Sequence, residues 1–275
     1  PSAVSRQRPP LSSWQLPAVS RQPPAASRQP SAVSRQPSAV SCQPSAVSRQ
    51  PSAIRCQPPA AKRWALDNLG RWHWFRPEDP GTRPVFHMLA EDWAPVPMGH
   101  VDGVVTISVT EADPVVSATR SQALQERYRT MIGHMRHEIA HMLWWRLSLR
   151  DDFLDAFRAM FGDERADYPA ALQRHYENGP PPDWSLRFLT TYASAHPHED
   201  WAETVAHLLH LTDITDSFVA AGLSSPDLPD RGWDPYAEPD SDRLIHVAAS
   251  LATGVNHVNR SMGLSDLYPF ALSDA

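Results

Sequence analysis

The feature that most limits what this chain can fold into is a proline that returns every seven residues through about residue 57. The unit reads PSAVSRQ at 1–7, LPAVSRQ at 16–22, PPAASRQ at 23–29, PSAVSRQ at 30–36, PSAVSCQ at 37–43 and PSAVSRQ at 44–50. A period of seven invites a coiled-coil reading, but proline removes a backbone donor and blocks helix continuation. Each unit also offers only one aliphatic side chain larger than alanine, too little apolar surface to offset chain entropy. Residues 1–62 are therefore expected to be a disordered repeat tail with local polyproline II character. The folded body is expected over 63–275.

Charge divides at the same place. Residues 1–62 carry eight of the chain's 25 basic residues and no acid, leaving 17 basic against 31 acidic side chains in the body, a balance of −14. An acidic body without a basic patch is not expected to bind nucleic acid. Both cysteines, Cys42 and Cys56, lie in the tail, so the body has neither a disulfide framework nor a cysteine-ligated metal. No apolar run approaches the ~20 residues of a membrane helix, and the N-terminus lacks the apolar core of a signal peptide. No membrane association is expected, and a cytoplasmic location is the default.

Within the body, Val104–Val109 is β-branched, follows Asp102-Gly103 and predicts a strand. Leu124, Tyr128, Met131, Met135, Ile139 and Met142 recur at three and four, predicting one long helix over about 121–148. Further helices are expected at 151–161, 184–195, 198–212 and 242–260. Loops are expected at Asn178–Pro182 and 224–241.

The long helix carries His137-Glu138-Ile139-Ala140-His141. Positions i and i+4 share a helix face, so two imidazoles there can reach one zinc ion at about 2.0–2.1 Å each. Glu138 stands beside them, where a carboxylate can take the proton of a zinc-activated water attacking a carbonyl. A catalytic zinc needs a third protein ligand. A third histidine six residues on is excluded, since position 147 is Leu147. The segment His196–His207 offers a glutamate instead. Pro197 suits a helix start and acids fill its first turn. Glu203 is the expected third ligand. Asp200, one turn earlier, is the expected acceptor orienting a zinc-bound histidine, with Glu199 the second candidate for that role. His207 and His210 are expected to pack or hydrogen-bond. Tyr192 and His196, just before this helix, are candidates for stabilising the oxyanion, with Tyr168 a further one. Of these, Tyr192 is the one assigned a catalytic role beside Glu138.

The blocks GHMRHEIAHMLWWRL, FGDERADYPAALQRHY, YASAHPHEDWAETVAHLLHL and NRSMGLSDLYPF, in this order, resemble a family of bacterial zinc-binding metallopeptidases over about residues 66–275. The resemblance implies an α+β, helix-rich, zincin-like domain with a small sheet, of the glutamate-ligand (gluzincin) type. It implies one catalytic Zn2+ on His137, His141 and Glu203, with Glu138 as acid/base and a peptide or protein as substrate. It makes 99–109 the strand that would pair with substrate, and leaves Glu164 and Asp167 as structural. Members commonly begin with a cysteine-rich zinc ribbon. No CxxC pair occurs here and the repeat stands in its place, so the resemblance does not carry the ribbon's contribution over. Two other readings use the same residues: a zinc hydrolase of a non-peptide amide, and a non-catalytic zinc-stabilised protein whose proline-rich tail binds partners. An intact Glu138 argues against the last, because a structural site has no need of that carboxylate.

Overall fold

The structure, a computed structural model, describes residues 49–74, 84–124, 126, 128–229 and 232–270. The repeat units before residue 49, with Cys42, lie outside the described residues. The fold is helix-rich with a small sheet.

Helix α1 spans Arg49–Arg71 and so begins inside the segment assigned to the tail. Pro58 and Pro59 sit within it, each costing one helical hydrogen bond. Tertiary packing offsets that cost. Pro58, Ala61, Ala65, Asn68 and Leu69 are buried at helical spacing and form one face. That face packs on α3 (Met131–Leu147) and on the short 3-10 turn Val109–Ala112. The body therefore starts earlier than residue 63.

Three strands follow, β1 (Val85–Leu89), β2 (Gly99–Val101) and β3 (Val104–Ser108). The central strand is β3, parallel to β1 (Val85 opposite Val104) and antiparallel to β2 (Val101 opposite Val104). Asp102 and Gly103, at φ 48° and 82°, make the two-residue turn between β2 and β3. Left-handed backbone at both positions is what a tight hairpin needs, and Asp-Gly supplies it at low cost. Val105 and Ile107 point to the interior and are wholly buried. Of the expected substrate-pairing segment 99–109, the 104–108 strand is flanked on both sides; among the described residues its open edge is β2.

The long helix expected over 121–148 is two helices. α2 covers Pro114–Leu124, and α3 begins at Met131. Residues 125 and 127, within the expected helix, lie outside the described residues. The break has a local cause. Thr130 is extended (φ −132°, ψ 154°) and its hydroxyl caps α3 by accepting from Gly133 N at 3.0 Å. Beside it, Arg129 turns into buried Glu111, which also pairs with Arg120. Apolar spacing runs through this break because Tyr128 still packs inward, against His210 and Phe270.

α4 (Asp151–Phe161) and α7 (Ser241–Ser261) lie where expected. α5 (Tyr168–Asn178) was not anticipated; Asp167 caps it by accepting from Ala170 N at 3.0 Å. The expected helix at 184–195 is two single 3-10 turns, Trp184–Leu186 and Tyr192–Ala195. α6 (Pro197–Ala220) outruns its expected end at 212.

α3 and α6 form the central pair. Met135, Ile139, Ala140, Ala202, Val205 and Leu209 meet between them, with Leu69 of α1 and Ile107 of β3 completing the core. No helix among the described residues is long and apolar enough to cross a membrane.

Candidate metal centre

The pairing of α3 and α6 brings His137, Glu138 and His141 opposite Glu199 and Glu203. Hydrogen bonds of Trp201 and His196 set the register. Trp201 Nε1 donates to Ala140 O at 2.8 Å, tying α6 to the HEIAH turn itself. His196 caps α6, its Nδ1 accepting from His198 N at 3.1 Å while its Nε2–H donates to Ala166 O at 3.1 Å. Both ring nitrogens of His196 are thus committed to backbone, which removes it from the oxyanion candidates.

Three donor groups converge: the Nε2 atoms of His137 and His141 lie 3.2 Å apart, and Glu199 Oε2 is 3.0 Å from the first and 3.5 Å from the second. Among the described residues His137, His141 and Glu199 form the one group able to share a metal ion, all donor atoms lying within 4.8 Å of one another. Glu203 lies on the other side of the ring, with Oε1 2.7 Å from His137 Nδ1. A carboxylate there can hold the Nδ1 proton, so that a metal at the shared point would meet the Nε2 lone pair. The geometry therefore exchanges the two glutamates relative to the sequence reading. Glu199 stands where Glu203 was expected, and Glu203 fills the acceptor position given first to Asp200.

Electrostatics follow from burial. Desolvation opposes charge on His137, but Glu199 and Glu203 outweigh it and hold its imidazole well above the ordinary range. Burial pushes both carboxyls up, yet hydrogen bonds from the histidines keep them below the usual carboxylate range. Glu138 differs: burial raises its carboxyl, and its Oε2 is buried with no hydrogen-bond partner. A buried unpartnered oxygen is costly, and such atoms mark a place where an unplaced group belongs. Two imidazole nitrogens, one carboxylate oxygen and this orphaned acceptor fit a zinc ion and a water.

Residues 57–275 match the family described as "Putative zinc-binding metallo-peptidase". The chain belongs to this family. It is 41% identical over 205 residues to uncharacterized proteins of Mycobacterium bovis and of two strains of Mycobacterium tuberculosis. The alignment covers 73% of this chain and 59% of each relative, so the chain spans about three fifths of the length of the curated relatives it matches. No solved structure matches it.

Around the centre of this metallopeptidase-family chain stand further groups. The Tyr192 ring lies 6.0 Å from that of His137, and the hydroxyl of this half-buried side chain is held protonated by desolvation and by Glu199. Tyr168 Oη donates to Glu199 Oε1 at 2.5 Å. His100, on edge strand β2, lies tilted against Trp145 with ring centroids 5.6 Å apart and is pushed down to about 4 by burial and by His141.

His207 and His210 point away from the centre. His207 Nδ1 accepts from Tyr268 Oη at 2.8 Å, and His210 Nδ1 lies 2.6 Å from Arg136 Nη1. Arg136 also meets Asn68 and Asp213, a buried network joining α1, α3 and α6 that sequence reasoning missed. The i, i+4 spacing of Glu199 and Glu203 was the available signal for the two-glutamate arrangement, since both share one face of α6.

Proposed function

We propose that this chain is a zinc-dependent peptidase whose metal is held by His137, His141 and Glu199. The observation that carries the reading is the convergence of those three donors beside the buried, unpartnered Oε2 of Glu138. Bound there, zinc supplies a Lewis acid that polarises a water and a carbonyl oxygen. Glu203 holds the Nδ1 proton of His137 and so orients that ring. Glu138 takes the proton of the attacking water at Oε2 and returns it to the departing amine. Its raised carboxyl brings it nearer to the amine it must protonate. Tyr192, kept as a neutral hydroxyl, donates a hydrogen bond to the carbonyl oxygen as charge builds there. The open edge of β2, carrying His100, supports a peptide substrate, because an extended backbone can add to a free strand edge.

The test is a comparison of three versions of this chain. Wild type should bind about one zinc, and His137→Ala should lose it. Glu138→Gln should keep the zinc and lose hydrolysis in a proteome-wide cleavage-site screen. Turnover surviving in Glu138→Gln refutes the mechanism; zinc-free wild type at micromolar free zinc refutes the site.

A further inference from the structure

We infer that Tyr168 is a positioning residue of the metal site, whose hydroxyl holds one oxygen of Glu199 so that the other faces the two imidazoles. The inference rests on the reading of Glu199 as the third ligand.

Glu199 is 1% exposed, so no solvent is at hand for whichever oxygen does not face the histidines. That oxygen is Oε1, and the Tyr168 hydroxyl donates to it at 2.5 Å. The two oxygens are thereby made inequivalent: Oε1 is satisfied, and Oε2 lies 3.0 Å from His137 Nε2 and 3.5 Å from His141 Nε2. Without the hydroxyl, Oε1 would be a buried acceptor with no partner, free to turn toward the metal point or away from it.

The surroundings hold Tyr168 rigidly. It is the first residue of α5, behind the Asp167 cap. Ala166, two residues before it, is pinned by the ring of His196, which itself caps the helix bearing Glu199. The Tyr168 ring meets His196 edge-on at 5.1 Å. Upstream, Arg158 braces Glu164 through paired hydrogen bonds. The ERADY segment thus has work beyond filling a loop: it presents one hydroxyl to one carboxylate oxygen. A tyrosine has a single O–H, so this bond also removes Tyr168 from the donors open to a substrate carbonyl.

The experiment measures zinc dissociation constants of the full chain by chelator competition, together with the thermal midpoint of the metal-free protein. Tyr168→Phe keeps the ring and removes the hydroxyl. It should weaken zinc binding about 10–100-fold, the range for loss of a group that orients a ligand. Glu199→Ala should weaken it further, and adding Tyr168→Phe to Glu199→Ala should change the constant less than about twofold, because the hydroxyl acts only through that carboxylate. Asp240→Ala removes the cap of α7, a helix that carries no residue of the site. It serves as the stability control and should bind zinc as wild type does. Wild-type zinc affinity in Tyr168→Phe, with Glu199→Ala impaired, overturns the inference and leaves the site standing. Equal losses in Tyr168→Phe and Asp240→Ala reduce Tyr168 to a structural residue. Wild-type affinity in Glu199→Ala overturns the ligand assignment and the inference together.

Discussion

Replacing His207 by glutamine should make the chain markedly less sensitive to acid. His207 is 5% exposed, hydrogen-bonded to Tyr268, with its ring perpendicular to that of Phe270 at 4.3 Å. Tyr268 is itself fixed, since its backbone N and O both pair with the side chain of Asn256. The imidazole cannot reach water when protonated, so burial pushes its pKa from 6.5 to about 4; Glu203 opposes the shift and His137 adds to it. The folded state therefore favours the neutral ring, while the unfolded chain takes up a proton near pH 6.5. Stability from this group is full above that pH and is lost as pH falls toward 4. Between pH 7 and pH 5 the loss is about 2 kcal/mol, from ~1.4 kcal/mol per pH unit once the unfolded histidine is protonated. His210, His198 and His100 shift in the same direction but are present in both proteins, so the difference isolates His207. Urea unfolding of the zinc-stripped chain at the two pH values reads it directly. Glutamine cannot charge, and His207→Gln should lose about 2 kcal/mol less than wild type over that interval. Equal losses, within the ~10–15% uncertainty of linear extrapolation, would refute the argument from burial.

Glu203→Gln retains an acceptor for His137 Nδ1–H but removes its charge. Zinc affinity should fall about 10–100-fold with the stoichiometry unchanged at saturation, read by chelator competition. Phe157, 1% exposed, lies among Trp144, Phe153, Phe161 and Trp201. Phe157→Ala should cost about 3–5 kcal/mol in urea unfolding, through a cavity that neighbouring rings cannot fill, while one zinc still binds.

Much of the centre was legible in the chain because it is local. The i, i+4 spacing of His137 and His141 needs only a helix, and the buried methionines at 131, 135 and 142 specify one. Asp102-Gly103 with the β-branched run after it specifies a hairpin strand. The Asp151–Phe161 and Ser241–Ser261 helices follow from their own periodicity. The misreadings arise where a distant partner decides. Pro58 and Pro59 fell inside the expected tail, and only packing against α3 makes those residues part of a helix. The spacing from Leu124 to Met142 looked continuous, and only Thr130 and the Arg129–Glu111 pair interrupt it.

Glu199 and Glu203 mark the boundary between the two kinds of information. Sequence alone determined that the helix after Pro197 puts two carboxylates one turn apart on a face able to meet a metal. Which of them meets the imidazole Nε2 atoms depends on sliding α6 along α3 by one turn, about 5.4 Å, a shift that no local pattern records. Tertiary structure makes that choice through contacts far apart in the chain: Trp201 on the Ala140 carbonyl, His196 on the Ala166 carbonyl and Tyr168 on Glu199.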